Sequence, residues 1–263
     1  MEIYSASGIC LCCLQAFKTA YLAIKSGDKN NAICSTSETI SGTLLSKNYD
    51  EEYERCSAVN ENPYMGFEKD FLRFMLSDGA SAVLLENRPR QTLSFRVEAV
   101  DMLSYANKLP TCMFMGAERR DDGELKSWKE FEGREWTERS VFAVKQDIKL
   151  LKDFVVKCFA DFTEYFLQKN RIDPASIRYV IPHISSMFFY DRLAEEFKGR
   201  QLDLGTEKWF TNLTWVGNIA SAAIFAGLDE LVRTKPIEKG DTVLLLVPES
   251  GRFSYGAVLL TAV

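Results

Sequence analysis

The sequence has little histidine, no excess of basic residues and no long apolar run, and each shortage narrows the possible functions. Its 263 residues include one histidine, so any chemistry that pairs cysteine with histidine has to use His183. The formal net charge of −5 argues against a nucleic-acid-binding surface, which needs clustered basic residues. No stretch is long and apolar enough for a bilayer, so the sequence predicts no membrane span.

The first residues also do not fit the pattern of a secretion signal. Residues 9–14 are apolar, but Glu2 stands where a basic region is usual, and no small-residue cleavage site follows. The segment is therefore interpreted as a helix of the mature protein. Seven cysteines without a signal indicate reduced thiols in the cytoplasm.

Helical and strand-like segments alternate along the chain, which predicts an α/β fold with a largely buried mixed sheet. Helical spacing of apolar residues is found in residues 10–25, 67–76, 141–169, 185–197 and 218–233. Short apolar runs typical of strands are residues 31–35, 80–86, 93–103, 177–181, 242–247 and 252–261, the last two as antiparallel neighbours. Residues 105–140, rich in charge and glycine, are interpreted as a long surface excursion, either a lid or an interaction loop.

Three cysteines fall within four positions, Cys10-Leu11-Cys12-Cys13. A structural zinc site needs four ligands, and neither a second C-x-x-C nor a nearby histidine is present, so no metal is predicted. A redox pair of Cys10 and Cys13 remains possible from the spacing, although Cys12 would scramble it. Cys12 and Cys13 also suit a buried apolar helix, since free cysteine packs as a small hydrophobe.

Cys10 differs because it follows the small residues at 6–8 and opens the predicted helix. The unpaired N–H groups of a helix N-terminus favour a thiolate, so Cys10 is the candidate nucleophile. His183 follows a predicted strand, and strand ends are where sites collect in α/β sheets, although a lone histidine is more often structural. Asn218 could donate to a developing negative charge or could merely cap the following helix.

These residues occur in an order that resembles the thiolase-fold condensing enzymes. The landmarks are Cys10 with Lys-Ser-Gly ending at Gly27, then Asp78-Gly79-Ala80, Pro182-His183, Gly217-Asn218 and Gly251-Arg-Phe-Ser-Tyr-Gly256. The chain is most similar to the β-ketoacyl-acyl-carrier-protein synthase III type. The phrases ASGIC, NAICSTSE and SYANKLPTCMF resemble its divergent branch that makes aryl polyene or dialkylresorcinol products.

The resemblance implies a role for each site residue. Cys10 would take an acyl group from a thioester, and the backbone N–H groups of Cys10 and Gly251 would form the oxyanion hole for its carbonyl. His183 and Asn218 would hydrogen-bond the carbonyl of a malonyl-type thioester and stabilise the enolate that forms as carbon dioxide leaves. No bound cofactor is implied, because the substrates are thioesters of coenzyme A or of the phosphopantetheine of acyl carrier protein.

The resemblance also implies a thiolase-like layered αβαβα fold with mixed sheets. Residues 1–140 would be the remainder of the amino-terminal half, with the insertion 105–140, and residues 141–263 the carboxy-terminal half. A role in fatty acid biosynthesis is implied, as is a homodimer or a heterodimer with a related synthase subunit.

The sequence departs from the family pattern in three places. Relatives have about a hundred residues before the cysteine, a small domain's worth, whereas nine precede Cys10, so the amino-terminal half is expected to be incomplete. Phe188 stands at the place of an arginine that grips the thioester carrier in relatives. Glu249 and Arg252 flank the oxyanion glycine and could alter which acyl group is accepted.

Decarboxylative condensation is the leading hypothesis, and three alternatives remain. The chain could be an acyltransferase or thioesterase that uses Cys10 and His183 without decarboxylation. It could be a non-catalytic subunit of a heterodimeric synthase. A thiol oxidoreductase would instead form a Cys10–Cys13 disulfide.

Overall fold

The computed structural model describes residues 1–50, 72 and 74–263. The helix predicted for residues 67–76 falls largely outside the described residues. The strands are β1 (Asn31–Glu38), β2 (Gly79–Glu86), β3 (Phe95–Ser104), β4 (Met113–Phe114), β5 (Ala117–Arg119), β6 (Leu125–Ser127), β7 (Lys145–Gln146), β8 (Tyr179–Pro182), β9 (Thr242–Glu249) and β10 (Ser254–Ala262). The α-helices are α1 (Cys12–Lys25), α2 (Glu135–Glu138), α3 (Ile148–Asn170), α4 (Tyr190–Gly199), α5 (Leu213–Val216) and α6 (Ala223–Thr234).

The central sheet has the strand order β3-β10-β9-β8. Strand β10 is antiparallel to both β3 and β9, and β8 runs parallel to β9, so the sheet is mixed. The chain is therefore an α/β protein, and the predicted antiparallel pairing of its last two strands is confirmed. The domain division near residue 140 stays a prediction, and β3 pairs with β10 across it.

Strands β9 and β10 lie in the middle of this sheet and are buried on both faces, which explains their continuous apolar sequence. Because successive side chains point to opposite faces, alternate residues enter two separate cores. Leu244 and Leu246 face one core, and Val243, Leu245 and Val247 face the other.

Helices α3 and α4 cover the first face. The Tyr255 ring stacks on Phe159 and Phe162, with centroid distances of 5.8 and 6.2 Å. The buried Tyr255 hydroxyl donates to the carbonyl of Val155 in α3 at 3.1 Å, so this core carries no unpaired phenol. Helix α3 begins at Ile148 rather than at 141, because Asp147 accepts the N–H of Leu150 and caps it.

Helices α1 and α6 cover the second face and separate the sheet from the antiparallel ribbon of β1 and β2. Phe17 of α1 packs on Phe225 of α6 at 5.7 Å, while Cys34 and Leu85 of the ribbon close the core from the far side. The described residues thus form helix, sheet, helix and sheet layers in succession. This layering places the start of α1 beside the end of β9.

Gly256 allows α1 to lie close against β10. A Cβ at this position would lie 2.6 Å from Cδ1 of Leu11 and 2.9 Å from Cδ1 of Leu14, both deeply buried. We expect Gly256→Ala to lower the free energy of unfolding by about 1–3 kcal/mol, the usual cost of overpacking a core. Urea denaturation measures this, with Gly240→Ala as a comparison in open space at a positive φ. A Gly256→Ala protein as stable as the wild type would contradict the close packing.

The segment predicted as a surface excursion has more structure than expected. Strands β5 and β6 form an antiparallel ribbon within it. Strand β4, also within it, pairs with β7, which follows the segment. Ala117, Phe131 and Val141 are buried.

Within the described part of the chain, no helix is both long and apolar enough to cross a bilayer.

Candidate active site

Cys10 lies in the turn that leads into α1, two residues before the first helical residue. The turn is closed by a hydrogen bond from the Cys12 N–H to the Ile9 carbonyl at 3.2 Å. The Cys10 residue is 9% exposed and belongs to the buried cluster between the sheet and the ribbon. The sequence therefore predicts the position of Cys10 to within half a helical turn.

Glu249, the last residue of β9, reaches this same turn. Its Oε2 accepts the backbone N–H groups of Ile9 and Leu11, each at 3.2 Å, and the residue is 2% exposed. Such a buried carboxylate needs hydrogen bonds to its charged form, and the two residues flanking Cys10 provide them. The carboxylate thus occupies the positive end of α1.

A second carboxylate lies on the other side of the cysteines. Glu38 Oε1 accepts the backbone N–H of Ser221 at 3.2 Å and also its hydroxyl proton. Burial is the largest cause of the raised pKa of the Cys10 thiol, and the negative charges of Glu249 and Glu38 raise this pKa further. The expectation that the helix N-terminus lowers this pKa is therefore wrong. Glu249 has taken the positive end, and the resting sulfur is a thiol.

Gly251, the second proposed oxyanion donor, lies in the β9–β10 turn. A Cβ there would lie 2.5 Å from Cδ1 of Ile9, so a larger residue would require the Ile9 side chain beside Cys10 to move. Among backbone hydrogen bonds between described residues, none uses the N–H of Cys10 or of Gly251 as its donor. Arg252 is exposed, whereas Glu249 is buried.

His183 follows β8 directly, and its backbone N–H donates to Leu246 of β9 at 2.8 Å. It is 6% exposed, and burial lowers the pKa of its imidazole to about 4, so the ring is neutral near pH 7. Its Nε2 is buried and has no hydrogen-bond partner among the residues that the structure describes. An unpartnered buried nitrogen of this kind is available to a substrate.

The neutral state of His183 makes stability depend on pH. The unfolded chain takes up the proton near pH 6.5 and the folded chain near pH 4, so protonation favours unfolding between these values. We expect the free energy of unfolding to fall by up to about 3 kcal/mol as the pH drops from 7 to 4. Urea denaturation of the wild type and of His183→Gln measures it; because the sequence has one histidine, the difference belongs to this residue. Parallel pH profiles would contradict the assignment.

Asn218 is fixed from both sides. Its backbone carbonyl accepts the Ser77 N–H at 2.9 Å, and its side-chain Oδ1 accepts the Ala220 N–H at 3.1 Å. The side chain thus holds the turn just before a 3₁₀ turn over residues 220–222, and the expectation that Asn218 caps the following helix is wrong, because Ala222 is at the N-cap of α6. Because Oδ1 is used in this way, Nδ2 is the group that the side chain can offer as a donor. Gly217 precedes it with φ = 84°, which glycine adopts without strain.

One small cavity is lined by both His183 and Asn218. Its walls include Ile181 and Ile224, which belong to the same buried cluster as Cys10, but Cys10 itself does not line it. The structure therefore brings the imidazole and the carboxamide together and places the thiol in the adjoining cluster. The roles of Cys10, His183, Asn218 and Gly251 in a reaction remain predictions.

Two features of the site could not be read from the sequence. Glu249 stands out there only as a charge in a glycine-rich turn, and its bonds to residues about 240 positions earlier carry no local signal. The contact between Glu38 and Ser221, which are 183 positions apart, likewise has no local sequence pattern that indicates it. The six described cysteines are free thiols, and no group of three or more metal-ligating side chains occurs in the described ranges.

In a comparison with known proteins, the carboxy-terminal part of the chain matches a family model. Residues 167–262 match the model of the 3-oxoacyl-[acyl-carrier-protein] synthase III C terminal family. A β-ketoacyl-[acyl-carrier-protein] synthase III of Clostridium kluyveri is 28% identical over 120 residues, which are 46% of this chain and 35% of the relative. The corresponding protein of Clostridium perfringens strain 13 is 24% identical over 257 residues, 98% of this chain and 67% of the relative.

Solved structures extend the likeness to almost the whole chain. The synthase III of Thermus thermophilus has a TM-score of 0.68 at 20% identity and covers 98% of this chain and 67% of that one. AbyA1, a tetronic acid condensing enzyme, has a TM-score of 0.69 at 14% identity, with coverage of 97% and 68%.

These comparisons cover unequal shares of the proteins. The match to the first curated relative spans about a third of that relative's length, and the longer matches span about two thirds. Nearly all of this chain takes part in the structural matches, whereas the family model covers its last third. Residues 167–262 are therefore similar to the 3-oxoacyl-[acyl-carrier-protein] synthase III C terminal family, and the chain has the thiolase-like fold of the solved synthase III structures.

Proposed function

We propose that this protein is a β-ketoacyl synthase III-like acyltransferase that uses Cys10 as its nucleophile. The Cys10 sulfur attacks an acyl thioester, forms a new carbon–sulfur bond and releases the carrier thiol, which leaves with the cysteine's proton. A malonyl-type thioester then loses carbon dioxide, and the resulting carbanion attacks the acyl-cysteine. Cys10 leaves as a thiolate and takes up a proton from solvent, so the products are carbon dioxide, a β-ketoacyl thioester and the restored Cys10 thiol.

The observation that carries the proposal is the shared cavity of His183 and Asn218. In the tautomer with its proton on Nε2, the neutral imidazole donates one hydrogen bond, and the Asn218 Nδ2 donates a second. Two neutral donors in a buried pocket suit the enolate oxygen that forms as carbon dioxide leaves. The histidine's low pKa favours this role, because a neutral ring donates without giving up its proton.

The acyl group has its own pair of donors. The backbone N–H groups of Cys10 and Gly251 lie in two turns that Ile9 brings into close contact. Neither donates to a backbone carbonyl of the described residues. They are suited to the oxygen of the tetrahedral intermediate formed at the acyl-cysteine.

The substrates and the setting are part of the proposal. Named relatives act as β-ketoacyl-[acyl-carrier-protein] synthases, which favours acyl carrier protein or coenzyme A thioesters and fatty acid biosynthesis. Arg192, on the exposed side of α4, lies over the Phe188 ring at 4.0 Å and places a cation near the position where an arginine was expected. A dimer and a cytoplasmic location remain predictions, as does the aryl polyene or dialkylresorcinol branch.

One observation favours a second candidate, a non-catalytic subunit of a heterodimeric synthase. The Cys10 thiol is buried, and the two charges that act on it are negative. Both features oppose thiolate formation, which acyl capture requires. An acyltransferase or thioesterase without decarboxylation remains the third candidate.

Incubation with a short acyl thioester and then with malonyl thioester separates the three candidates. We expect an intact mass raised by one acyl group, mapped to Cys10, followed by carbon dioxide release and a β-ketoacyl thioester. Acylation without carbon dioxide release would favour the acyltransferase. No acyl adduct would contradict both catalytic candidates and favour the subunit.

A further inference from the structure

Glu249 is a buried carboxylate that the proposed reaction does not use. We propose that Glu249 is the positioning residue of the Cys10 turn: by accepting the N–H groups on either side of Cys10, it leaves the Cys10 N–H as the turn's free donor for an acyl carbonyl. The purpose of this positioning rests on the proposed function. The hydrogen bonds around Cys10 can be tested without any substrate.

The hydrogen bonds support this role. Oε2 of Glu249 accepts from both Ile9 and Leu11 at 3.2 Å, whereas the N–H of Cys10 between them donates to no other described residue and faces only its own sulfur. A charged acceptor makes each bond stronger than a neutral one would be. Because one oxygen holds two donors that flank Cys10, the peptide between them has little freedom to rotate.

The packing around the carboxylate supports it as well. The position of a Gly8 Cβ lies 3.6 Å from Oε2, and that of a Gly251 Cβ lies 3.6 Å from Oε1. The carboxylate is thus enclosed by the two turns that carry the proposed oxyanion donors. Its location at the start of a 14-residue helix also stabilises its charge.

The same charge acts on the sulfur. The titratable groups that face Cys10 are Glu249 from β9, Glu38 from β1, and Cys12 of α1. All of these favour the protonated thiol, so acyl transfer needs the proton to leave with the carrier thiol. Removing one carboxylate charge should therefore move the reaction of Cys10 with iodoacetamide to lower pH.

Three variants separate the hydrogen bonds from the charge. Glu249→Gln keeps a carbonyl oxygen that can accept both N–H groups but removes the charge. Glu249→Ala removes both. Glu38→Gln is the matched control, since it removes the other carboxylate charge and leaves the bonds of the Cys10 turn intact.

Amide hydrogen exchange on the substrate-free protein tests the positioning directly. We expect the Ile9 and Leu11 amides to be protected and the Cys10 amide to exchange freely in the wild type, Glu249→Gln and Glu38→Gln. In Glu249→Ala, protection of the two flanking amides should fall at least tenfold. Equal protection in Glu249→Ala, or a protected Cys10 amide in the wild type, would overturn the inference.

Acyl capture and alkylation then show what the positioning does. We expect Glu249→Ala to capture the acyl group at least tenfold more slowly while iodoacetamide still alkylates Cys10 at the wild-type rate or faster, since alkylation needs no oxyanion donor. Glu249→Gln should retain capture, and both Gln variants should shift the alkylation profile to lower pH, with Cys158 (7% exposed) as the internal reference. Capture by Glu249→Ala at the wild-type rate would overturn the role in acyl transfer. A wild type that captures no acyl group overturns the proposed function alone, because the exchange result stands by itself.

Discussion

Cys10→Ala is expected to abolish acyl capture from a thioester. Cys10 lies in the turn held by Glu249, and its neighbour Ile9 brings this turn against the turn at Gly251. An alanine there removes the proposed nucleophilic sulfur, so the loss should be complete rather than partial. Intact-mass measurement after incubation with a short acyl thioester gives the adduct directly.

Two neighbouring cysteines provide the controls. Cys12 is partly exposed and more accessible than Cys10, and Cys13 is buried with its thiol donating to the Cys10 carbonyl at 3.1 Å. Cys12→Ala and Cys13→Ala should both still be acylated once, at Cys10. An adduct that persists in Cys10→Ala and maps to Cys12 would show that the nucleophile has been assigned to the wrong sulfur.

Asn218→Ala is expected to slow decarboxylation by about 10²- to 10³-fold, the usual cost of removing one oxyanion donor. Acyl capture should remain, because Asn218 lines the cavity of His183 rather than the Cys10 turn. Carbon dioxide release from a malonyl thioester measures the first step, and the acyl adduct measures the second. The split between the two rates is the signature of an enolate donor.

The bond that Asn218 accepts from the Ala220 N–H complicates the alanine variant, and aspartate resolves it. Losing that bond should cost about 0.5–1.5 kcal/mol of stability in Asn218→Ala. Asn218→Asp keeps an oxygen for that N–H but has no donor in its ionised form. We therefore expect Asn218→Asp to keep the bond from Ala220 and to be as slow as Asn218→Ala. Full decarboxylation by Asn218→Asp would mean that accepting this N–H is the whole role of the side chain.

The sequence predicts the elements whose pattern is local. The apolar runs that become β9 and β10 are recognisable because both faces of these strands are buried. Their ends are less predictable. Helix α6 begins at Ala223 rather than at 218, because a 3₁₀ turn over residues 220–222, closed by the Ala222 N–H on the Ile219 carbonyl, comes first.

In the candidate site, too, local sequence patterns predict some features and miss others. Cys10 and His183 are predicted as site residues from their places at the ends of elements, and Gly251 is implied by the family resemblance; these roles stay predictions. The protonation of the thiol was mispredicted, because a helix N-terminus favours a thiolate only when no other anion occupies it. Glu249 does so from the far end of the chain, and long-range contacts of this kind have no signature in periodicity or spacing.

The wide sequence separation inside the Cys10 turn has a consequence for biosynthesis. The partners Ile9 and Glu249 are 240 positions apart, and at about 5–20 residues per second the ribosome needs roughly 12 to 48 s to make the stretch between them. During this interval the nascent cysteine turn lacks its carboxylate. A newly made thiol therefore reaches its final reactivity only after strand β9 has emerged, and until then it lacks a nearby negative charge that raises its pKa.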